Sequence, residues 1–215
     1  MSHDPKPVDP APDTAPPTLR DGQPRSRATA PPAAVDYPGA LWVPARHWSA
    51  RPPGAAIRLV VLHSTESGPG TARAVARFFA ADPSCQGSAH YVVDADTVVQ
   101  CVSESRGAWG ARGGDANACG IHVEMTGRAL STDWTAGPGL AVLERAAPLV
   151  ADILRRHELP CRALDAERLL AGEPGMVTHA TITEAYAVRG GHCDPGGVGD
   201  HRWPWEQWLA LVEAA

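Results

Sequence analysis

The sequence has no run of about 18 apolar residues, so we expect neither a membrane-spanning helix nor a membrane partner. It also has no surplus of basic residues. Its 215 residues carry 19 Lys and Arg against 24 Asp and Glu, a net charge of -5, which argues against nucleic acid as a partner. The first residues form neither a basic segment nor an apolar core, so we expect no secretory signal peptide and synthesis in the cytoplasm.

Cysteine is sparse and widely spaced, and no C-x-x-C pair occurs. This pattern argues against a disulfide framework and against a four-cysteine zinc site. Four of the cysteines are interpreted as small buried thiols. Cys193 is treated separately because it adjoins Asp194 and could approach a metal held there.

Large apolar residues are rare in residues 1–40, which contain ten of the 21 prolines. Such a stretch cannot bury enough surface to offset its ordering entropy, so we expect a disordered tail. A tether is the alternative. Residues 41–215 have the composition and length of one globular domain, which we expect to be a monomer.

Strand and helix patterns alternate in this second part. Four strands are predicted from apolar runs and alternation, at 57–62, 89–94, 97–102 and 120–126. A helix is predicted over 71–81, with Thr71 as its N-cap and Val75, Phe78 and Phe79 buried. Two more helices are predicted, over 139–157 with a kink or break at Pro148, and from Pro204 onward. The fold class is therefore α/β, with a mixed central β-sheet flanked by helices.

Three residues far apart in the chain suit a metal site. His63 ends the first strand pattern, His179 follows the short extended stretch Val177-Thr178, and Asp194 opens a Pro-Gly turn. Two imidazoles and one carboxylate leave a fourth tetrahedral position free, which is typical of catalytic rather than structural zinc. The hypothesis is a zinc hydrolase.

A zinc hydrolase also needs a proton-transfer group and a stabiliser for developing negative charge. Alternation in the strand 120–126 places Ile121, Val123 and Met125 on one face, with His122 and Glu124 on the other. Glu124 is therefore the predicted base, the alternative being a carboxylate paired with an arginine. His192, two residues before Asp194, is predicted to hold the oxyanion. Its alternative is a polar turn residue.

These residues lie in five motifs that together resemble the zinc-dependent type 2 N-acetylmuramoyl-L-alanine amidase family, whose fold is shared by peptidoglycan recognition proteins and phage endolysins. The motifs, in chain order, are Val61-Leu62-His63-Ser64-Thr65, Ser88-Ala89-His90-Tyr91, Asn117 with Glu124 seven residues later, Thr178-His179, and His192-Cys193-Asp194-Pro195-Gly196. The resemblance spans residues 41 to 212.

The resemblance implies that His63, His179 and Asp194 bind Zn²⁺, that Glu124 is the acid–base, and that His192 occupies a position usually held by lysine. It implies hydrolysis of the amide between N-acetylmuramic acid and L-alanine in peptidoglycan. We expect a phage endolysin that acts on the cell wall. The alternatives are a non-catalytic peptidoglycan-binding module, a cytosolic amidase that recycles anhydro-muropeptides, and a toxin-like effector.

The sequence departs from the family pattern in three places. His122 replaces a small residue beside the base, the Ala-Trp-His-Ala turn has glycine at Gly110, and the interval between His179 and Asp194 is longer than in short relatives. His122 could narrow the pocket, hydrogen-bond Glu124 or contact substrate.

Further residues are predicted around this site. His90 is assigned to the wall of the substrate site, the alternative being a metal ligand. Loop residues Trp109 and Trp134 are predicted either to contact sugar or stem peptide or to plug the core. His47, His157 and His201 are expected to be solvated.

Overall fold

A computed structural model describes residues 35–196 and 203–215. Eight strands are present there, β1 (Leu41–Trp42), β2 (Ser49–Ala50), β3 (Leu59–Ser64), β4 (Tyr91–Val93), β5 (Val98–Gln100), β6 (Arg106–Gly107), β7 (Gly120–Met125) and β8 (Gly175–Thr178). The helices are α1 (Ala72–Ala81), α2 (Ala116–Cys119), α3 (Gly137–Arg156), α4 (Ala166–Leu170), α5 (His179–Ala185) and α6 (Trp205–Glu213).

Six strands form one mixed sheet in the order β1-β5-β4-β7-β3-β8. The strands β4, β7, β3 and β8 run parallel, β5 is antiparallel to β4, and β1 is parallel to β5. The strands β2 and β6 form a separate antiparallel pair. The predicted α/β class with a mixed central sheet is confirmed.

Helices cover both faces of the sheet. One face carries Val60 and Leu62 of β3 and the apolar residues of β7, which pack with α3 and α6. On the other face, α1 packs over β4 and β5, while α2 and α5 pack near β3. The second face thus has two separate apolar clusters, one around Val92 and Val99 and one around Val61 and Val177. The polar residues of the sheet lie between these clusters.

The predicted first helix is present as α1 with Thr71 at its N-cap position, but the predicted burial of Phe78 was wrong. The Thr71 hydroxyl donates to Gly68 O (2.7 Å) and makes no capping hydrogen bond. The Ala72 amide instead donates to Asp94 Oδ2 (3.0 Å), so the β4–β5 turn caps α1. Phe79 is buried, whereas Phe78 is 43% exposed.

The long predicted helix is one continuous element, α3, so of the two predicted effects of Pro148, a kink or a break, the break is wrong. Pro148 is exposed, while the buried side of α3 includes Leu143, Val150 and Leu154. Within residues 35–196 and 203–215, none of the helices has both the length and the apolar character needed to span a bilayer.

Residues 35–40, assigned from sequence to the tail, contact the domain. The Asp36 amide donates to Gln100 Oε1 (2.8 Å), and its carboxylate accepts from the Glu104 amide (2.9 Å). Tyr37 and Ala40 pack against the main core. Residues 1–34, which contain the rest of the predicted tail, lie outside the described residues.

A buried carboxylate joins the sheet to the end of α3. Glu104 accepts from Tyr91 Oη (2.5 Å), Arg156 Nη2 (2.8 Å) and His157 Nε2 (2.6 Å). Burial alone would raise the pKa of Glu104, but these hydrogen bonds lower it to about 2. His157 is therefore half-buried and bonded, contrary to the expectation that it is solvated.

Glu104→Gln should lower the free energy of unfolding at pH 7 by about 3 kcal/mol, because it removes a charge from a buried network. The pKa of the wild-type carboxyl is depressed on folding, so its contribution is full above pH 4.5 and is lost as the pH falls toward 2. Urea unfolding at pH 7 and pH 3 should show the difference between the two proteins narrowing in acid. A difference that is the same at both pH values would contradict this assignment.

Candidate metal centre and active site

Three backbone segments bring the predicted ligands together. His63 is near the carboxyl end of β3, and His179 is the first residue of α5, directly after β8. Asp194 lies in the loop beyond α5 and is hydrogen-bonded to the residues that follow His63 and His179. Its carbonyl accepts from the Ala180 amide (2.9 Å), and its Oδ2 accepts from the Ser64 amide (3.2 Å).

The three side chains are buried and converge on one point. His63 Nδ1 lies 3.1 Å from His179 Nδ1 and 3.3 Å from Asp194 Oδ2. His179 Nδ1 lies 3.2 Å from Asp194 Oδ1. Among the described residues these three form the group able to hold a metal ion.

These separations suit zinc, with Asp194 presenting Oδ2 to His63 and Oδ1 to His179. Tetrahedral zinc with nitrogen and oxygen ligands at about 2.0–2.2 Å separates neighbouring ligand atoms by about 3.3–3.6 Å. The observed separations of 3.1–3.3 Å are close to that value. Asp194 Oδ1 is buried and, among the described residues, accepts no hydrogen bond, as expected of an oxygen that faces a cation.

Asp194 is kept ionised by its neighbours. Burial alone would raise the pKa of its carboxyl, but the adjacent imidazoles of His179, His192 and His63 hold that pKa far below the ordinary value. Burial lowers the pKa of His63, so its ring is neutral near pH 7. Neutral imidazole and ionised carboxylate are the forms that bind a metal.

Glu124 lies beside the metal-binding group. The strands β3 and β7 pair in parallel with His63 opposite Glu124, which puts both side chains on the same face. Burial, followed by the charges of Asp194 and Glu66, raises the pKa of Glu124 well above its ordinary value. Its Oε2 is buried and has no hydrogen-bond partner among the described residues. The carboxyl group is therefore available for proton transfer.

His192 is at the exposed edge of the same centre. Its side chain is 69% exposed, its Nδ1 lies 3.4 Å from Asp194 Oδ1, and its ring stacks on His179 with centroids 4.6 Å apart. The contact with Asp194 raises the pKa of His192. The neighbouring Cys193 is an exposed free thiol.

The predicted contact of His90 and His122 with substrate is revised, since both side chains are completely buried. His90 Nδ1 accepts from the His122 amide (2.9 Å), and its Nε2 donates to Arg106 O (2.9 Å). His122 contacts the ring of His63, with Nδ1 of His122 2.9 Å from Nε2 of His63. These positions favour supporting roles over contact with substrate.

The two loop tryptophans differ. Trp109 is half-buried and stacks on His47, with ring centroids 5.0 Å apart, so its predicted contact with substrate remains a prediction. Trp134 is 3% exposed and donates from Nε1 to Pro195 O (2.9 Å), which makes it a core residue. His47 is half-buried with Nε2 3.0 Å from Cys85 O, and His201 lies outside the described residues.

Sequence reasoning missed Glu66, which lies close enough to Glu124 to raise its pKa. Its Oε1 accepts from Ser64 Oγ (2.7 Å) and from the Ala129 amide (2.7 Å), and its φ is 53°. A non-glycine residue in this left-handed region is uncommon and often marks a functional site. Here it lies three residues after His63. In the sequence, the one indication of a role for Glu66 is its place three residues after His63.

Comparisons with known proteins agree with this geometry. Residues 53–197 match the family model described as Amidase_2, N-acetylmuramoyl-L-alanine amidase. No curated protein matches the chain.

Solved structures share the fold at low identity. A selenomethionine derivative of AmpD is 21% identical, covers 83% of this chain and 99% of its own, and has a TM-score of 0.59. The Staphylococcus aureus hydrolase AmiA, solved with its ligand, is 16% identical, covers 89% and 93%, and has a TM-score of 0.58. The N-acetylmuramoyl-L-alanine amidase LysC from Clostridium intestinale URNW is 14% identical, covers 82% and 99%, and has a TM-score of 0.51.

Proposed function

This chain belongs to the N-acetylmuramoyl-L-alanine amidase family, and on that premise we propose that it is a zinc-dependent hydrolase. It cuts the amide between the lactyl group of N-acetylmuramic acid and the L-alanine of the peptidoglycan stem. The observation that carries the zinc assignment is the buried group of His63, His179 and Asp194. The two Nδ1 atoms lie 3.1 Å apart, and each lies 3.2–3.3 Å from one oxygen of Asp194. The position of Glu124 beside His63 in the sheet supports the hydrolytic role.

Each residue of the centre has a separate role. His63, His179 and Asp194 hold the metal, which when bound supplies a Lewis acid for the amide carbonyl and for water. Glu124 accepts a proton from the attacking water and passes it to the leaving nitrogen of L-alanine, a task suited to a carboxyl whose pKa is raised above its ordinary value. His192 donates a hydrogen bond to the carbonyl oxygen as negative charge develops.

His192→Ala should lower kcat by about 10²–10³-fold, the usual effect of removing one donor to a developing oxyanion. Zinc content should stay at the wild-type level, because the ring contacts Asp194 from the exposed side at 3.4 Å. His192→Lys should restore most of the turnover, since an ammonium is also a cationic donor. Steady-state kinetics on a soluble muramyl peptide measures both variants. An unchanged kcat in His192→Ala would remove this residue from the mechanism.

We place the enzyme at the cell wall, as a monomeric endolysin-type amidase. The mild net charge of -5 and the absence of a basic surface composition support a carbohydrate–peptide substrate over nucleic acid. Residues 1–34 are proposed to be an extension outside the catalytic domain, which occupies the remainder of the chain.

Metal analysis of the purified protein, coupled with mass spectrometry of digested cell wall, tests this function. We expect about one zinc per chain, free L-alanine amino termini and intact lactyl groups. Intact sacculi should be compared with soluble anhydro-muropeptide as substrates. Activity on the soluble compound alone would favour a recycling amidase, and binding to sacculi without cleavage would favour a recognition module.

A further inference from the structure

The ring of His122 is held between a backbone carbonyl and the imidazole of His63. Its Nε2 lies 3.2 Å from Ala116 O, and its Nδ1 lies 2.9 Å from His63 Nε2. The ring is completely buried. Both of its nitrogens are therefore used within the protein, one on each side.

These contacts fix the proton positions along the chain of rings. A carbonyl oxygen can only accept, so His122 Nε2 carries the proton and donates to Ala116 O. In the neutral ring Nδ1 is then an acceptor, and His63 Nε2 must donate to it. His63 Nδ1 is left with a free lone pair. That nitrogen is the one that lies 3.1 Å from His179 Nδ1 and 3.3 Å from Asp194 Oδ2.

The space for this ring depends on a glycine in a neighbouring loop. A Cβ at Gly110 would lie 2.3 Å from His122 Nδ1 and 2.7 Å from its Cγ. The loop cannot easily move away, because the amides of Gly110 and Ala111 both donate to Asn117 Oδ1, at 3.1 and 2.9 Å. Two separate departures from the family pattern, His122 and Gly110, therefore meet at one place.

We propose that His122 is a positioning residue, which holds His63 in the tautomer and orientation that present Nδ1 to the metal, and that Gly110 provides the room it needs. The inference rests on the zinc site proposed above. A metal-binding histidine whose other nitrogen is hydrogen-bonded keeps a single ring orientation, and loss of such a partner typically costs 10–100-fold in metal affinity or activity.

The zinc-loaded wild-type protein gives the first test. Long-range ¹H–¹⁵N correlation spectra report which imidazole nitrogen carries a proton and which binds the metal. We expect His63 to bind through Nδ1 with a proton on Nε2, and His122 to carry its proton on Nε2. A spectrum in which His63 binds zinc through Nε2 would overturn the proposal without any variant being made.

His122→Ala should weaken zinc binding by about 10–100-fold, as measured by competition with a chromophoric chelator. His122→Asn should restore most of the affinity, because its amide oxygen can stand near the place of Nδ1 and accept from His63. Val123→Ala is the matched control. It removes a buried side chain from the same strand but on the opposite face, so it should lower stability and leave zinc affinity unchanged.

A purely space-filling role would give a different result. Asparagine would then be as harmful as alanine, and that outcome would overturn the proposal. If His122→Ala fails to fold, the asparagine variant and the wild-type spectrum still decide.

A double-mutant cycle with Gly110 tests the coupling. Gly110→Ala should weaken zinc binding by about tenfold, at the lower end of the same range, because its methyl group pushes on the ring of His122. In a His122→Ala background the same change should have little further effect. Gly68→Ala is the control, since no atom lies within 4 Å of a Cβ built at Gly68 and its φ lies outside the left-handed region. An equal effect of Gly110→Ala in both backgrounds would contradict the coupling.

Failure of this inference is distinguishable from failure of the proposed function. A wild-type protein that binds no zinc and releases no L-alanine termini defeats the function itself. A wild-type protein that binds zinc and cleaves, but whose affinity is unchanged in His122→Ala, defeats this inference alone.

Discussion

Glu124→Gln should bind zinc as the wild type does and lose about 10²–10⁴-fold in kcat, the contribution expected of a general acid–base. The amide is close in shape to the carboxyl group but can no longer take a proton from water at neutral pH. Glu124 lies opposite His63 in the β3–β7 pairing and is not a member of the group of His63, His179 and Asp194, so the metal should stay in place. Zinc content and steady-state kinetics, measured on the same preparation, separate the two properties.

The control for this variant is Glu144→Gln, the same chemical change at an exposed position of α3. It should leave zinc content, kcat and KM unchanged. Because the raised pKa of Glu124 comes from burial and from Asp194 and Glu66, Glu66→Gln should lower that pKa and shift the acid limb of the kcat profile to lower pH. Wild-type turnover in Glu124→Gln would assign proton transfer to another group.

The sequence predicts the members of this site better than their arrangement. Alternation in 120–126 puts His122 and Glu124 on one face and Ile121, Val123 and Met125 on the other, as the structure has it. The proposed ligands His63, His179 and Asp194 stand out because they lie at the end of a strand pattern, after an extended stretch and at the start of a turn. Side chains at such positions meet at the carboxyl ends of the strands. Local pattern is sufficient to single out these residues.

Side-chain contacts between distant segments could not be predicted from the sequence. Nothing in the local sequence indicates that Nε2 of His63 meets Nδ1 of His122 or that His90 bonds to Arg106 O, because strand register sets these contacts. The short helices α2, α4 and α5 were missed, since four to seven residues give less than two turns of helical period. The N-cap position of α1 at Thr71 was predicted, but its capping bond was not. That bond runs from the Ala72 amide to Asp94, 22 residues away.

Asp194→Ala should lose the metal as well as the activity, and its effect on zinc binding should exceed the 10–100-fold cost of losing a supporting partner. The carboxylate supplies one of three ligands and the negative charge of the group. It also lies 3.2–3.3 Å from both ligand nitrogens, so without it only two imidazoles would remain to hold the metal. Metal analysis should fall from about one zinc per chain to nearly none after dialysis.

Thermal unfolding gives an independent measurement of the same loss. A ligand that binds only the folded state stabilises it by about 2.7 kcal/mol at 100 times its Kd, so zinc should raise the Tm of the wild type and not that of Asp194→Ala. Cys193→Ala is the matched control, because it changes the adjacent exposed side chain and also tests the thiol as a rival ligand. It should keep its zinc and its zinc-dependent Tm. Full zinc content in Asp194→Ala, together with its loss in Cys193→Ala, would exchange the two residues in the ligand set and leave the carboxylate free to act on substrate.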